Sequence, residues 1–300
     1  MNILITGATG NIGRVLTSEL SKSSHNILCI SRNKEEASKI LPQNIKIIET
    51  SQLSEITKFQ PEVVIHLAAY LTSADDWESQ NKLLEANIIF GSQLLNTLKN
   101  IGNIKVFINF GTFAEYLYTP SNIDNAYLYS ATKSAFKEIL RFYSDKFKFP
   151  YINIIPYTIY GGEDKSRKIL DYLIESIIST TPIKMSPGNQ ILDFIHVNDV
   201  VSFIIYIINN LKFTLLQKYN VYHLGTGTGH SLREISEIIE NFAHKPCNIK
   251  WGALPYRERD VMYAVAPIGN LLALGWSPKI KIQTYLEAKV KDIIRMNYAK

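Results

Sequence analysis

The feature of the sequence that most constrains its fold is a glycine-rich turn between a short apolar run and an amphipathic segment. The run Asn2–Thr6 predicts a β-strand, three glycines follow at a spacing of three residues, and Ile12–Ser21 predicts an α-helix. In this context the first glycine permits a tight turn, the second lets the backbone approach a pyrophosphate, and the third lets the helix pack closely on the strand. The helix then presents its first N–H groups to an anion, so we expect a dinucleotide site here. Its residues are Gly7, Thr9, Gly10, Asn11, Ile12 and Gly13.

Short β-rich apolar runs alternate with segments of helical periodicity over the first half of the chain. The further strands predicted there are Asn26–Ser31, Ile45–Ile48, Val63–Leu67, Lys105–Phe110 and Tyr151–Pro156. The further helices are Asn81–Lys99 and Tyr129–Phe147 and, in the less regular second half, Lys168–Ser179 and Asp199–Leu211. Alternation of this kind produces a parallel sheet with helices on both faces. We therefore predict an α/β fold, a doubly wound parallel sheet (a Rossmann fold) with a smaller, interleaved C-terminal domain.

Composition and charge exclude several other classes of protein. A hydrophobic fraction of 46% and a charged fraction of 20% are those of a globular chain with a substantial core. The formal net charge of +5 is spread along the chain, so no nucleic-acid partner is expected. The strongest apolar run, Val200–Ile208, is too short for a membrane span, which needs about 20 residues. Two cysteines exclude a disulfide scaffold and, with no basic leader before the first strand, favour a cytoplasmic protein.

The end of the second predicted strand indicates which dinucleotide is preferred. Arg32 follows Ser31 and lies nineteen residues after Gly13, where an NAD site usually carries an Asp or Glu for the ribose 2′-hydroxyl. A guanidinium instead offers paired donors that suit a phosphate. We therefore expect NADP(H) to be preferred, with NAD(H) possible. The alternative is that Arg32 is an ordinary exposed surface residue.

A tyrosine and a lysine four residues apart form the candidate catalytic pair. Tyr129 and Lys133 share one face of a predicted helix, and the ammonium is expected to lower the pKa of the phenol toward the range useful for proton transfer. Tyr127 competes as the acid, but its six-residue offset places it about 240° around the helix from Lys133. Thr112 follows a predicted strand and is expected at the carboxyl end of the sheet, where ligands bind. Its hydroxyl can there hydrogen-bond a substrate oxygen, unless it is only a turn threonine.

These residues together carry a family resemblance. Over nearly its whole length the chain resembles extended short-chain dehydrogenase/reductases that act on nucleotide-activated sugars, and among them the 4-ketoreductases of 4-keto-6-deoxy sugars of the CDP-abequose synthase type. The segments that carry the resemblance are the glycine turn, His66–Ala69, Asn87, Thr112, Tyr129 with Lys133, Tyr157–Gly161, Asp193–Val200, Gly225–Gly227, Trp251–Arg257 and Leu274–Pro278.

The resemblance implies a role for each candidate site residue. Tyr129 would donate the proton, Lys133 would hold the nicotinamide ribose, and Thr112 would orient the sugar carbonyl. Arg257 would grip the diphosphate of the sugar nucleotide, with Lys168 as a second candidate. The other implied cofactor contacts are Leu67, Ala68, Ala69, Asn87 and Pro156, and the other implied substrate contacts are Phe113 and Thr158.

The resemblance also implies how the chain is divided into domains. Residues 1–161 with about 193–225 are expected to bind the dinucleotide, and about 162–192 with 226–300 to bind the nucleotide sugar.

Three places depart from the family pattern. Ile155 and Leu192 stand where the family carries arginines, and Phe110–Gly111 replaces its pair of serines. These departures concern the surroundings of the substrate and leave Thr112, Tyr129 and Lys133 intact.

The residues after Thr112 indicate which reaction this scaffold performs. A 4,6-dehydratase resembling this family needs acid and base side chains directly after the threonine, but Phe113 and Ala114 follow here, and Glu115 is displaced by one more residue. A 3,5-epimerase-reductase needs a Cys and His pair, which neither cysteine matches. We expect NADPH-dependent reduction of the C4 ketone of a nucleotide-linked 4-keto-6-deoxy sugar, for deoxysugar synthesis. A nucleotide-sugar 4-epimerase with tightly bound NAD and a non-catalytic dinucleotide sensor remain alternatives.

The expected partners follow from this reaction. The substrate is a nucleotide-diphosphate sugar, and neither a nucleic acid nor a membrane is expected. No metal is expected, because the six histidines form no H-x-x-x-H pair, and His66 and His196 fit better as hydrogen bonders in the core or a loop. Family members often dimerise through two helices, here Asn81–Lys99 and Tyr129–Phe147, so a homodimer is expected.

Overall fold

Seven runs rich in isoleucine, valine and leucine form one parallel sheet in the computed structural model, which describes residues 1–163, 167–215 and 219–298. The strands of the first half are β1 (Asn2–Thr6), β2 (Asn26–Ser31), β3 (Lys46–Glu49), β4 (Val63–His66), β5 (Val106–Phe110) and β6 (Tyr151–Pro156). Those of the second half are β7 (Thr158–Tyr160), β8 (Ile183–Lys184), β9 (Ile191–His196), β10 (Tyr219–Leu224), β11 (Gly229–Ser231), β12 (Ile249–Lys250) and β13 (Tyr263–Ala264). The predicted bounds of β1, β2 and β6 are confirmed, and those of β3 to β5 differ by one residue, because apolar runs buried on both faces mark parallel strands clearly.

Helices cover both faces of the sheet. Those of the first half are α1 (Asn11–Leu20), α2 (Lys34–Ile40), α3 (Glu55–Phe59), α4 (Trp77–Leu84), α5 (Phe90–Leu98) and α6 (Leu128–Phe147). Those of the second half are α7 (Ile169–Glu175), α8 (Val197–Asn209), α9 (Leu211–Thr214), α10 (Leu232–Ala243), α11 (Gly269–Ala273) and α12 (Ile282–Tyr298). Buried side chains of α1 and α8 pack on one face of the sheet, and those of α5 and α6 pack on the other. The predicted doubly wound α/β fold is therefore confirmed.

The order of the strands locates the ligand crevice. The large sheet runs β10-β6-β5-β4-β1-β2-β3, so the chain proceeds from β1 toward one edge and then returns to place β4 on the other side of β1. In open parallel sheets, ligands bind outside the carboxyl ends of the strands at such a reversal. The crevice between the turns that follow β1 and β4 is therefore where a ligand site is expected.

The second half of the chain also forms a smaller unit, beside the carboxyl ends of the strands of the large sheet. Strand β9 pairs with β7, β11 and β13, which come from distant parts of the chain, and β8 pairs with β12. Helices α7, α10 and α12 bury a separate apolar core. Two buried carboxylates fix the connections: Asp193 accepts from the backbone N–H groups of Thr226, Gly227 and Ala266, and Asp199 accepts from those of Lys279 and Ile280. Among the described helices, none is long and apolar enough to cross a bilayer.

Candidate active site

The turn after β1 lies directly against the turn after β4. Gly7 has a φ of +70°, and a Cβ added there would lie 2.6 Å from the backbone nitrogen of Ala68, so only glycine fits. The N–H of Ala68 donates a hydrogen bond to Thr6 Oγ1 at 3.2 Å, which ties the two strands together at this edge. The structure thus places Leu67 and Ala68 directly against the glycine turn, and Ala69 follows them in the chain.

The first turn of α1 is shaped to receive an anion. Its N-cap is Gly10, which has no side chain, so no side-chain cap covers the first backbone N–H groups of α1. A Cβ on Gly13 would lie 2.2 Å from the carbonyl oxygen of Gly7, which shows how closely the helix packs on the turn. Uncapped N–H groups, a helix dipole and a turn with glycines at positions 7 and 10 fit the pyrophosphate of a dinucleotide.

Asn11 connects the glycine turn to the strand–turn segment after β6. Its Nδ2 donates to the carbonyl oxygen of Gly161 at 3.0 Å. Its Oδ1 is buried and has no hydrogen-bond partner within the described residues. A buried acceptor without a donor is costly in water-excluded surroundings, so this oxygen is suited to receive a donor from a ligand.

Ser31 and Arg32 lie at the carboxyl end of β2, next to the same crevice. Ser31 Oγ donates to the carbonyl oxygen of Asn33 at 3.0 Å and so shapes the turn that leads into α2. Arg32 is exposed, and no described residue forms an ion pair or hydrogen bond with it. Its guanidinium is free to bind an anionic group.

Tyr129 and Lys133 lie in the first two turns of α6. Within the described part of the chain, neither the Tyr129 hydroxyl nor the Lys133 ammonium has a hydrogen-bond partner. Lys133 is only 2% exposed, and burial lowers its pKa from 10.5 to about 8, opposed by the charge of Glu115. A buried ammonium without a protein partner is a functional-site signal, because buried charges are otherwise paired.

The electrostatic part of the prediction for Tyr129 is wrong. Burial raises the pKa of its phenol, and the charge of Glu115 raises it further. The spacing predicts that Lys133 lowers this pKa, but desolvation of the phenolate outweighs any such effect. The phenol is therefore held in its protonated form.

Tyr127 is committed elsewhere, which separates it from Tyr129. Its hydroxyl donates to Asp260 Oδ1 at 3.0 Å, and burial and Asp260 raise its pKa. The guanidinium of Arg257 lies 5.5 Å from the centroid of the Tyr127 ring, within cation–π range. The structure therefore brings Arg257 to the start of α6, and it adds Asp260, a residue that sequence reasoning missed because 133 positions separate it from Tyr127.

Thr112 follows β5, and its hydroxyl is oriented by the backbone. Thr112 Oγ1 accepts from the N–H of Ala114 at 3.3 Å. Its own N–H donates to Glu115 Oε1 at 2.8 Å. Thr112 thus caps a short 3₁₀ turn, Phe113–Glu115, and retains a hydroxyl proton that can be donated to a ligand.

Asn87 lies in a π-helical segment, Glu85–Ile89, between α4 and α5. Its Oδ1 accepts from the N–H of Tyr70 at 2.8 Å, and its Nδ2 donates to the carbonyl oxygen of Tyr70 and to Thr132 Oγ1. Both of its amide protons are therefore used within the protein. Asn87 joins the turn after β4 to α6. The periodicity of the sequence predicts a regular helix here and not this π-helical bulge.

The residues expected near the substrate lie along the segment after β6. The rings of Phe113 and Tyr157 stack with centroids 5.7 Å apart. Thr158 Oγ1 is buried without a partner among the described residues, and Lys168 Nζ donates to the carbonyl oxygen of Ile159 at 3.3 Å. Pro156, half-buried, ends β6 just before them. Phe113, next to Thr112, thus contacts Tyr157, and Lys168 contacts the same segment two residues further on, at Ile159.

His66 and His196 act as hydrogen bonders, as expected. His66 is fully buried, its Nδ1 lies 2.8 Å from Thr6 Oγ1, and burial and the charge of Lys133 lower its pKa to about 3. His196 Nδ1 accepts from the N–H of Asn198 at 3.1 Å. Both imidazoles are thus neutral parts of the scaffold at ordinary pH.

The chain is similar to several known proteins. It is 28% identical over 295 residues to CDP-abequose synthase from Yersinia pseudotuberculosis, covering 97% of this chain and 100% of that protein. It is 29% identical over 308 residues to CDP-abequose synthase from Salmonella muenchen, covering 98% and 97%. The solved structure of UDP-glucuronic acid 4-epimerase from Bacillus cereus, in complex with UDP-glucuronic acid and NAD, matches with a TM-score of 0.85 at 22% identity, over 99% of this chain and 100% of that one. At that identity the structural likeness shows the fold alone.

A family model accounts for most of the chain. It spans residues 3–225, which include the glycine turn, Thr112, Tyr129 and Lys133. Because the match covers more than half of the chain and every strand of the large sheet, the protein belongs to the NAD dependent epimerase/dehydratase family.

Proposed function

We propose that the protein is a nucleotide-sugar 4-ketoreductase, which uses NADPH to reduce the C4 ketone of a nucleotide-linked 4-keto-6-deoxy sugar. The observation that carries the proposal is the division of polar groups at the crevice. Tyr129 and Lys133 have no hydrogen-bond partner among the described residues, whereas the carboxylate whose charge acts on both, Glu115, is occupied by protein donors. Reduction of a ketone needs a proton donor and no free base, unlike elimination.

The chain's own residues would perform the proton transfer. The raised pKa of Tyr129 keeps its phenol protonated, so that it gives a proton to the carbonyl oxygen. Thr112, whose Oγ1 already accepts from the N–H of Ala114, would donate a hydrogen bond to the same oxygen, without transferring its proton, and so share the developing negative charge. Lys133 would hold the nicotinamide ribose with its ammonium, which no described residue engages in a hydrogen bond. When bound, NADPH supplies the hydride that the carbonyl carbon accepts.

The preference for NADPH rests on Arg32. Its exposed guanidinium, without a partner in the described chain, would bind the 2′-phosphate beside Ser31. Arg32→Ala should raise the KM for NADPH about tenfold, which corresponds to ~1.4 kcal/mol, and leave the KM for NADH unchanged. The control is Arg295→Ala, an arginine on α12 whose side chain is 80% exposed. An unchanged preference in Arg32→Ala would leave NADP(H) selection without support.

The substrate proposal rests on the segments that meet at the carboxyl edge. Arg257, beside Tyr127, would bind the diphosphate, with Lys168 as a second cation. Thr158 Oγ1, buried and without a partner in the described ranges, would contact the sugar nucleotide as well. In this scheme residues 1–161 and about 193–225 hold the dinucleotide, and about 162–192 and 226–300 hold the sugar nucleotide. The two CDP-abequose synthases that the chain resembles over nearly their full length support this substrate class.

A panel of substrates tests the reaction. Purified protein is mixed with NADPH and CDP-, dTDP- or GDP-linked 4-keto-6-deoxy sugars, and the loss of NADPH absorbance is followed. At least one sugar nucleotide should be consumed with equimolar oxidation of NADPH. Tyr129→Phe, which keeps the ring and removes the proton donor, should lower kcat by about 10²-fold or more. Silence across the panel, with turnover of a 4-hydroxy sugar nucleotide, would contradict the proposal.

A 4-epimerase is the second candidate, favoured by the likeness in fold to UDP-glucuronic acid 4-epimerase. Such an enzyme returns the hydride to the same sugar and needs no added NADPH. The two assignments differ in whether NAD stays with the protein through gel filtration. Release of cofactor supports the reductase, and retention of NAD supports the epimerase.

A homodimer is part of the same proposal. Large apolar side chains are exposed along α4 to α6, namely Trp77, Ile89 and Phe142, which are 73%, 43% and 58% exposed. These segments neighbour one another, and large apolar side chains exposed on adjacent helices would suit an interface between two copies of the chain. Sedimentation of the full chain measures the state directly: a dimer supports the proposal, and a monomer at micromolar concentration contradicts it.

A further inference from the structure

Glu115 is a fully buried carboxylate at the active site, and both of its oxygens are held by protein groups. Oε1 accepts from the backbone N–H of Thr112 at 2.8 Å. Oε2 accepts from Ser134 Oγ at 2.9 Å and lies 3.7 Å from Lys137 Nζ. Glu115 is 0% exposed. A buried carboxylate with this set of donors is fixed in place, because each lost contact would leave a desolvated charge unpaired.

Two of the departures from the family pattern meet at this carboxylate. A Cβ on Gly111 would lie 2.4 Å from Glu115 Oε1 and 2.5 Å from Cδ1 of Ile155. Any residue larger than glycine at position 111 would therefore displace the carboxylate or the Ile155 side chain. Gly111 leaves room for Glu115, and Ile155, where the family carries an arginine, brings no competing cation. The two substitutions and the buried carboxylate form one local arrangement.

The charge of Glu115 acts on the candidate catalytic pair. It raises the pKa of Tyr129, after burial, and it opposes the lowering of the pKa of Lys133. It also raises the pKa of Tyr116, after burial. The other titratable groups in this region are Lys137 on α6, which faces Glu115 and acts on His223 of β10, His66 of β4, which faces Lys133, and Tyr157 after β6. Glu115 is the anion among these groups that acts on both Tyr129 and Lys133.

We propose that Glu115 is a positioning residue, whose buried carboxylate fixes Thr112 and keeps a negative charge beside Tyr129 that favours donation of the phenolic proton over its removal. The bond from Thr112 N–H orients the threonine at the end of β5, and the bond from Ser134 joins that turn to α6. Thr112 and Tyr129 are thereby held on one rigid unit. Glu115 itself does not touch the reacting atoms, since its oxygens are occupied by Thr112, Ser134 and Lys137.

The proposal deepens the assigned reaction, and its direction rests on the proposed function. A ketone reductase requires a protonated Tyr129 at the start of the step, whereas oxidation of a sugar alcohol, with which a 4-epimerase begins, requires a phenolate as base. A fixed negative charge disfavours the phenolate. The charge of Glu115 thus favours reduction. An uncharged residue at position 115 would not have this effect.

A spectroscopic titration tests the effect of Glu115 on Tyr129 without any substrate. The tyrosinate absorbance of the protein is measured against pH and subtracted from that of Tyr129→Phe, which isolates Tyr129 from the other tyrosines. The same subtraction is made in the Glu115→Gln background. Gln is close in shape and can still accept from Thr112 N–H, but it carries no charge. The Tyr129 transition should move down by about one pKa unit or more, which is tenfold more phenolate at a given pH.

Three variants separate charge from structure. The double variant Glu115→Gln/Lys137→Gln removes both charges of the ion pair, and it takes the place of Glu115→Gln if that variant does not fold. The Tyr129 transition should shift downward in the double variant as in Glu115→Gln. Glu115→Asp keeps the charge but shortens the reach, so the Tyr129 transition should stay near its original position. Ser134→Ala loosens the carboxylate without changing its charge and should also leave the transition in place. A transition that moves equally in the Gln, Asp and Ser134→Ala variants, or moves in none, would overturn the proposal.

Kinetics then distinguish this proposal from the proposed function. With an active 4-keto sugar nucleotide, the alkaline limb of the pH profile of kcat should move down in Glu115→Gln by about the same amount as the titration, while Glu115→Asp should lower kcat without moving the limb. A failure of every sugar to react removes the reductase assignment but leaves the titration intact. An unmoved titration and an unmoved limb in an active Glu115→Gln enzyme overturn the role of Glu115 alone.

Discussion

Replacing Lys133 with methionine should make the cofactor-free protein more stable while removing its activity. Lys133 is 2% exposed and has no hydrogen-bond partner among the described residues, and its pKa falls from 10.5 to about 8 because burial disfavours the ammonium. A fall of that size corresponds to about 3 kcal/mol at neutral pH, since one pKa unit is worth ~1.4 kcal/mol. Methionine has a similar length and no charge, so the free energy of unfolding should rise by roughly 1–3 kcal/mol.

The pH dependence makes this prediction sharper. Because the pKa of Lys133 is lower in the folded state than in the unfolded state, the unfolded chain binds more protons between about pH 8 and pH 10.5. The free energy of unfolding of the unmodified protein therefore gains a contribution as the pH rises through this window, and the full penalty for the buried ammonium applies below it. The advantage of Lys133→Met should be largest near neutral pH and should fade toward the upper end of the window.

Urea unfolding followed by circular dichroism measures both effects on protein stripped of cofactor. The matched control is Lys137→Met, one helical turn away on α6. The Lys137 side chain is 12% exposed and lies 3.7 Å from a carboxylate oxygen of Glu115, so its loss leaves a buried charge unpaired and should lower stability. The reasoning is refuted if Lys133→Met is no more stable than the unmodified protein, or if both lysine variants change stability in the same direction.

The remaining predictions concern the cofactor turn and the smaller unit. Gly13→Ala would place a Cβ 2.2 Å from the Gly7 carbonyl oxygen, which must move, so we expect a loss of about 1–3 kcal/mol in stability and weaker NADPH binding by calorimetry. Its control, Gly269→Ala in α11, meets no atom within 4 Å and should be neutral or slightly stabilising; equal losses in both variants would contradict the packing argument. Asp193→Asn replaces one of two acceptor oxygens with a donor amide that faces backbone N–H groups, at about 1–3 kcal/mol for each N–H left unpaired, and its melting temperature should fall while the far-UV spectrum stays native; an unchanged melting temperature would contradict this role.

The large sheet could be predicted from the sequence because its information is local. Buried parallel strands read as continuous apolar runs, and the spacing of glycines marks the turn after β1, so the bounds Asn2–Thr6 and Tyr151–Pro156 are confirmed. The smaller unit could not be predicted in this way. Strand β9 finds partners that come from before and after it in the chain, and the register of such pairs depends on tertiary packing, which short runs do not encode.

The predicted helix Asn81–Lys99 also shows that local sequence patterns do not contain tertiary information. In the structure this region is α4, a π-helical segment and α5. Periodicity predicted a helix from Asn81, but α4 begins at Trp77 because Asp76 caps it by accepting from the N–H of Ser79. The π-helical segment around Asn87 then adds a residue to one turn. Within this segment Asn87 makes hydrogen bonds with Tyr70 and Thr132, which lie 17 and 45 residues away in sequence. A pattern based on 3.6 residues per turn contains no such information.

In the candidate site, the identity of the two candidate residues follows from sequence spacing, whereas their protonation depends on burial. Four-residue spacing on a helix was enough to select Tyr129 and Lys133, because both lie on one element. The protonation of that pair depends instead on desolvation and on Glu115, which a different turn delivers to α6. Lys133 and Glu115 therefore differ in what their burial does. The ammonium of Lys133, which has no hydrogen-bond partner among the described residues, costs stability that a bound ligand can recover, whereas the carboxylate of Glu115 is satisfied within the protein and sets the charge that the ligand meets.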